Sequence, residues 1–343
     1  MAILITGGSG FVGGHLARLL CQEGEKVRLL LRPSSNLSQL QGLDYEPAPG
    51  DLRSYDSLLA ACQGIDLVYH CAADYRLWVK DPQELYDSNV EGTRHLLEAA
   101  RQAGVKRVVV TSSVAAVGIP AGGGVGDEDT PVSLEDMVGH YKRSKFLGER
   151  VAMEAAQQGQ DVVVVNPSTP IGPGDLKPTD TGQIITRFLR GGMPAYLNTG
   201  LNLVDVEDVC RGHILAAQKG ARGRRYILGG YDMSLQQILL ELADISGLAA
   251  PKVQLPWWVA YVVGWADTWI STHILKRPPS VPLDGVKMAR KIMYFSWKRA
   301  QRELGYEPRP VRRALEGAVR WFVDHGYAPE TPLVKRGPSS NGK

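Results

Sequence analysis

Cysteine is scarce: four residues in 343, Cys21, Cys62, Cys71 and Cys210, scattered with no metal-site spacing among them. Cysteine-held metal chemistry is therefore set aside, no metal is expected, and the thiols read as buried side chains of a reducing cytosol. No basic segment precedes the first apolar run, and that run stops within five residues at a glycine-rich loop, so the chain begins as a strand and not as a signal peptide. Internal repeats and coiled-coil heptads are absent. No nucleic-acid recognition motif or aromatic-basic interleaving occurs, so a nucleic-acid partner is not expected.

Net charge is only +3, but it is unevenly spread. Residues 270–343 hold 15 Lys and Arg against 6 Asp and Glu, a balance of +9, which leaves −6 for residues 1–269. Just upstream, the segment 256–270 contains four of the seven tryptophans, Trp257, Trp258, Trp265 and Trp269. Asp267 and the short apolar length exclude a spanning helix, which needs roughly 20 apolar residues. Two readings remain: an aromatic helix packed over a substrate pocket, or an interfacial helix that, with the basic C-terminal region, touches a membrane peripherally.

What the chain does have is alternation. Apolar strand-like runs recur near 2–6, 27–31, 66–71, 107–112 and 161–165 with helix-like stretches between them. That pattern predicts an α/β fold, a Rossmann-type doubly wound parallel sheet with a smaller C-terminal substrate-binding lobe. The expected division is a nucleotide-binding domain over 1–166, to which the chain returns around 200–215, then a lobe over 167–330, and a polar disordered tail over 331–343.

The run Ala2–Thr6 passes directly into Gly7-Gly8-Ser9-Gly10-Phe11-Val12-Gly13-Gly14. Gly8, Gly10 and Gly13 satisfy the dinucleotide pattern G-x-G-x-x-G, and Gly7, Gly10 and Gly13 its G-x-x-G-x-x-G variant. Such a loop lets backbone approach a pyrophosphate, and the helix start at Phe11, Val12 and Gly13 offers free N–H groups to it. The second strand ends in Arg32 with Ser35 close by, where an NAD-binding protein places a carboxylate against the adenosine ribose. A guanidinium and hydroxyls suit a 2′-phosphate, so NADP is expected ahead of NAD. Gly50-Asp51-Leu52 resembles the acidic turn that meets the adenine. Ala72 and Ala73 end a strand expected beside the cofactor and leave room for it.

Tyr141 and Lys145 lie four residues apart, on one face of a helix. A phenol titrates near ~10, too high for ready proton exchange at neutral pH, and a neighbouring ammonium lowers that value. The pair thus predicts a general acid or base, downstream of a strand ending Thr111-Ser112-Ser113.

Together these residues resemble the extended branch of the short-chain dehydrogenase/reductases (NAD-dependent epimerase/dehydratase family), over nearly the whole chain. Dihydroflavonol 4-reductase-like members are similar around Thr111–Ser113 and Asn166-Pro167. The hopanoid-associated sugar epimerase family is more similar still, at 73–78, 139–147, 166–173, 226–230 and 283–288. The resemblance implies that Ser113 joins Tyr141 on the substrate oxygen, that Lys145 also binds the nicotinamide ribose, and that Asn89 supports the active-site backbone. It implies that Thr111, Ser112, Pro167, Ser168 and Thr169 line the nicotinamide side, and that Asp205 and Asp208 are an acidic pair closing the pocket. Relatives often carry histidine where Asp205 stands. Asp74, Arg76, Lys177 and Asn198 are candidate substrate residues; Arg76 would hold an anion or else pair with Asp74.

Three functions follow as expectations. The leading one is NADPH-dependent reduction of a carbonyl on a small or lipid-linked, sugar-like substrate in hopanoid biosynthesis. The second is sugar epimerisation by transient oxidation with NAD. The third, of another class, is a non-enzymatic NADP sensor or membrane scaffold, a type that commonly loses the Tyr-Lys pair. Relatives also imply a homodimer through helices near 87–103 and 139–158, and a cytoplasmic protein, in one reading peripheral at the inner face of a membrane.

Overall fold

The computed structural model describes residues 1–279, 281 and 283–335. Its elements begin with β1 (Ala2–Thr6), α1 (Phe11–Gln22), β2 (Lys26–Leu31), β3 (Glu46–Pro49), α2 (Tyr55–Cys62) and β4 (Leu67–His70). One long helix follows in three parts: α3 (Gln83–Tyr86), a π-helical turn over Asp87–Glu91 and α4 (Gly92–Gln102). Next come β5 (Arg107–Thr111), β6 (Val125–Gly126), α5 (Gly139–Gln157), β7 (Val162–Pro167), β8 (Thr169–Ile171), α6 (Asp180–Leu189), β9 (Ala195–Leu197), β10 (Gly200–Asp205) and α7 (Val206–Lys219). The chain ends with β11 (Arg225–Leu228), β12 (Tyr231–Ser234), α8 (Leu235–Ser246), β13 (Val253–Leu255), α9 (Trp257–Ile270), α10 (Leu283–Met288), β14 (Tyr294–Phe295), α11 (Lys298–Leu304) and α12 (Val311–Asp324).

Seven parallel strands form the main sheet in the order β11-β7-β5-β4-β1-β2-β3. The order reverses between β1 and β4, whose ends Thr6 and His70 are register partners. In doubly wound sheets ligands bind at such a switch point, beyond the carboxyl ends of the strands. Strands covered on both faces read as unbroken apolar runs, which is why every residue of β7 is buried. Leu4, Val68, Val108, Val110, Val162 and Val164 face α2, α4 and α5 in one core. Their alternates point the other way, where Tyr69 lies beside His213 of α7. The edge strand β3 carries Pro47 and Pro49, residues that only a sheet edge tolerates.

The chain divides into two compact units. The first comprises 1–168, 207–229 and 295–307, and the second 169–206, 230–294 and 308–343. The return at 295–307 has no counterpart in the sequence reading: α11 packs on β11, and Tyr306 donates to the carbonyl of Gly229 at 2.9 Å. The second unit has its own core, in which α12 packs on α6, α8 and β10. Where the sequence suggests a disordered tail from 331, Thr331 is buried and bridges to Val334. Residues 336–343 of that expected tail lie outside the described residues.

Candidate active site

Gly7 follows β1 in the left-handed region, φ +73°, and a Cβ built there would lie 2.6 Å from the amide nitrogen of Ala72. Only glycine therefore lets the first turn close against the end of β4. Gly10 caps α1 and its N–H donates to the Gly7 carbonyl at 2.9 Å. No side chain caps α1 and no acidic residue stands in its first turn, so the N–H groups from Phe11 to Gly13 open a positive helix end. A Cβ on Gly13 would lie 2.3 Å from the Gly7 carbonyl oxygen and one on Gly8 2.8 Å from the Leu29 side chain, so the loop is packed tightly at both positions.

At the end of β2, Arg32 and Ser35 form a turn: the Arg32 N–H donates to Ser35 Oγ at 3.0 Å, and the Ser35 N–H to the Arg32 carbonyl at 2.9 Å. The exposed Arg32 guanidinium has no hydrogen bond or ion pair among the described residues. Asp51, assigned to the adenine, is clasped by a residue that the sequence reading passed over: Arg53 donates Nε to Oδ1 at 3.0 Å and a terminal nitrogen to Oδ2 at 3.1 Å. These bonds, with the nearby charge of Arg32, hold the Asp51 carboxyl below its ordinary range. Leu52 is buried in the core against α4.

Tyr141 and Lys145 project from one face of α5. Tyr141 is half-buried and Lys145 buried. The Lys145 ammonium donates to the Thr111 carbonyl at 2.9 Å. Burial pushes its pKa down from 10.5 to about 8, against the opposing charge of Glu149 one turn further along α5. Ser113 stands two residues beyond the end of β5, and its Oγ accepts from the Ala115 N–H at 3.1 Å. That bond uses one of the oxygen's two lone pairs and leaves the half-buried hydroxyl its proton to give.

Asn89 lies in the π turn, a feature common at functional sites. Its side chain brackets Asp74: Oδ1 accepts from the Asp74 N–H and Nδ2 donates to the Asp74 carbonyl, both at 2.8 Å. Nδ2 also donates to Ser144 Oγ at 2.9 Å, and Ser144 donates to the Tyr141 carbonyl at 2.9 Å. Helix α5 approaches so closely that a Cβ on Gly148 would sit 2.2 Å from the Asn89 carbonyl oxygen. Arg76 is spoken for. It binds Asp74 and, at 2.7 Å, Glu84, so the pairing alternative raised by the sequence is the one observed.

A further network was invisible in the sequence. His70 Nδ1 meets Thr6 Oγ1 at 2.7 Å and Nε2 meets Thr93 Oγ1 at 3.0 Å. Thr93 donates to the Asn89 carbonyl, and Thr6 Oγ1 accepts from the Ala72 N–H at 3.2 Å. The bonding pattern assigns the His70 proton to Nε2, and burial lowers its pKa to about 3, so it stays neutral. His213, bonded to Thr111 Oγ1 at 2.9 Å, is likewise lowered by burial to about 4. Beneath Lys145, Glu149 accepts from Asn166 Nδ2 at 2.6 Å and pairs with Arg225 at 2.9 Å. Glu149 continues the spacing of 141 and 145, a signal that was legible; Arg225, remote in sequence, gave none.

The ends of β5 and β7 carry three buried polar atoms without a hydrogen-bond partner among the described residues: Ser112 Oγ, Asn166 Oδ1 and Ser168 Oγ. Pro167 pairs with Leu228 at the end of β7. With the uncapped start of α1 and the close approach of Gly7 to Ala72, these atoms fit a bound dinucleotide along the switch point. Ala73 is half-buried at the same strand ends. Thr169, the exposed Lys177 and the exposed Asn198 belong to the second unit. There Asp205 is buried and paired with Arg309 at 3.1 Å. Among the described residues no group of His, Cys, Asp and Glu could hold a metal ion, and no helix is long and apolar enough to cross a membrane.

Sheet, glycine loop and Tyr-Lys helix define an NAD(P)-dependent enzyme of the extended short-chain dehydrogenase/reductase class. The chain belongs to the NAD dependent epimerase/dehydratase family, whose model matches residues 3–229. It is 50% identical to the putative dihydroflavonol 4-reductase of Synechocystis sp., over 94% of this chain and 95% of that protein. It is 36% identical to sterol demethylase protein B of Methylococcus capsulatus, over 95% and 99%. The crystal structure of gox2253 superposes with a TM-score of 0.86 at 43% identity, covering 96% of this chain and 99% of that one.

Proposed function

We propose that the protein is an NADPH-dependent carbonyl reductase acting on a sugar-like or hydroxylated side chain of a lipid, in hopanoid biosynthesis. The observation that carries the choice of reduction is Arg32: a guanidinium with no hydrogen-bond or ion-pair partner among the described residues, beside the Ser35 turn, stands where NAD enzymes need a carboxylate. It suits a 2′-phosphate, and Arg53 adds a second guanidinium close to it around Asp51. Bound NADPH supplies the hydride. Tyr141 gives its phenolic proton to the substrate oxygen, and Ser113 donates to the same oxygen as charge develops on it. The Lys145 ammonium stabilises the tyrosinate left behind, while Thr111 holds it by the carbonyl and Glu149 keeps it protonated at neutral pH. Asn89 fixes the backbone of Asp74 and, through Ser144, the turn of α5 that bears Tyr141. Support for a lipid substrate comes from the similarity to a protein named for sterol demethylation.

The epimerase-family match favours a second reading, in which the same three residues oxidise a sugar hydroxyl and then reduce the carbonyl. Titrating the purified protein with NADPH and NADH, and assaying for co-purified nucleotide, separates the two. Reversible binding that prefers NADPH supports the reductase. Tightly retained NAD overturns it in favour of epimerisation.

We also propose a homodimer built on the π turn, α4 and α5, where Phe146, Leu147 and Met153 are only partly covered within one chain. Light scattering at twice the chain mass is the expected result, and a monomer at micromolar concentration overturns it.

A further inference from the structure

Helix α9 begins after Pro256 and continues into a π turn, Ser271–Leu275, which stops at Lys276 in the left-handed region, φ 50°. One side of α9 is anchored. Asp267 accepts from the Ser271 hydroxyl at 3.2 Å and from the Val281 N–H at 2.6 Å. Thr268 Oγ1 accepts from the Leu283 N–H at 3.0 Å, and Trp257 Nε1 donates to the Val286 carbonyl at 3.1 Å. Gly264 is buried, with Val286 so close that an added Cβ would meet it at 2.9 Å.

The opposite side is bare. Trp258, Val262, Trp265 and Trp269 follow at steps of four, three and four residues, one stripe of a helix. They are 66%, 55%, 54% and 47% exposed. Ile270 and Ile274 extend the apolar surface beyond the stripe. A contiguous patch of this kind marks a binding surface.

The charge of the same segment favours one occupant. Residues 257–292 hold five Lys and Arg, all exposed (Lys276, Arg277, Lys287, Arg290, Lys291), against two carboxylates. Of those two, Asp267 is turned inward on Ser271 and Val281, and Asp284 lies 3.7 Å from Lys287. Arg290 sits over the Trp257 ring at 5.1 Å. A second copy of the chain meeting this face about a two-fold axis would set one cationic rim against the other. An anionic bilayer offers headgroup phosphates to the cations and hydrocarbon to the tryptophans, and the helix is too short to do more than lie in the interface plane.

We propose that α9 and the turn after it dock the protein on an anionic membrane surface, with Trp258, Val262, Trp265 and Trp269 at the headgroup boundary and Lys276, Arg277, Arg290 and Lys291 on the phosphates. The inference is independent of which reaction the enzyme performs.

The test is co-sedimentation of the full chain with vesicles of phosphatidylcholine alone and with one third phosphatidylglycerol, with tryptophan emission recorded alongside. Sedimentation with the anionic vesicles, weakening as salt rises, and a blue shift on binding are expected. Trp258→Ser combined with Trp265→Ser, and separately Lys276→Glu combined with Arg277→Glu, should each weaken binding roughly tenfold or more. Both variants should still bind NADPH as the unaltered chain does, which shows that they are folded. A chain that binds NADPH but stays in the supernatant with anionic vesicles at low salt overturns the proposal. So do variants that sediment unchanged, or a patch-dependent dimer seen by light scattering without vesicle binding.

Discussion

The ammonium of Lys145 donates to the carbonyl oxygen of Thr111 at 2.9 Å, tying the Tyr-Lys helix to the strand end that presents Ser113. Because burial lowers this amine from 10.5 to about 8, it loses its proton while other lysines still hold theirs. NMR of ¹³C-lysine-labelled protein should show one ε-carbon titrating near pH 8 that vanishes in Lys145→Met. The Glu149→Gln variant should titrate lower still, since the charge it removes raises the value. An ε-carbon titration for Lys145 above pH 10 would contradict the burial argument.

Tyr141→Phe should lower kcat for carbonyl reduction by roughly 10²–10⁴, and Ser113→Ala by roughly 10²–10³. The affinity for NADPH, read by its fluorescence, should change little in either. Full activity in Tyr141→Phe would remove the phenol from the reaction.

Arg32→Glu should weaken NADPH binding by about 10–100-fold, the loss of charge-assisted hydrogen bonds to a 2′-phosphate. NADH affinity should hold or improve, since a carboxylate can take the free ribose hydroxyl. Parallel loss of both nucleotides would point instead to a damaged turn at Ser35.

His70 and His213 are neutral when folded and have lowered pKa values, about 3 and about 4 against an ordinary 6.5. The unfolded chain therefore binds more protons between those values, and their stabilising share is complete above pH 6.5 and lost as pH falls toward 3–4. Each contributes up to ~1.4 kcal/mol of instability per pH unit in that window. Urea unfolding followed from pH 7 to pH 5 should show a shallower loss of stability in His70→Gln than in the unaltered chain. Identical slopes would mean that His70 is protonated in the folded protein.

At Gly148 two effects of opposite sign compete. Helix propensity alone gives alanine a gain of about 1 kcal/mol, whereas the added Cβ would lie 2.2 Å from the Asn89 carbonyl and must force α5 from the π turn. The overlap should win, with a net loss of about 1–3 kcal/mol in thermal or urea unfolding and a further loss of turnover as Tyr141 shifts. A stabilised Gly148→Ala would show that the helices can separate freely.

Much of this arrangement is legible in the sequence, and the exceptions have physical causes. Strands β1, β2, β4, β5 and β7 stand out because a parallel strand covered on both faces must be apolar throughout. Strand β3, Glu-Pro-Ala-Pro, hides because an edge strand escapes that demand. Strand β11 and its cover at 295–307 depend on a crossover with no local signal. Tyr141 and Lys145 declare themselves by spacing, and Ser113 by the strand end. The linkage from Thr6 through His70 to Asn89 is assembled from residues 64 and 23 positions apart, and nothing in the sequence pairs them.

The π turn over Asp87–Glu91 makes chain length itself a functional variable. A π turn is an α-helix carrying one surplus residue, so deleting Asp87 or Ser88 would restore the regular register and swing Asn89 by roughly 100° about the axis relative to the chain before it. Its amide would then leave Asp74 and Ser144 together, though no active-site side chain had been altered. Within this segment positions other than Asn89 can be substituted while single-residue insertions and deletions cannot be absorbed, so the spacing between Asp74 and Thr93 should be among the least elastic in the chain.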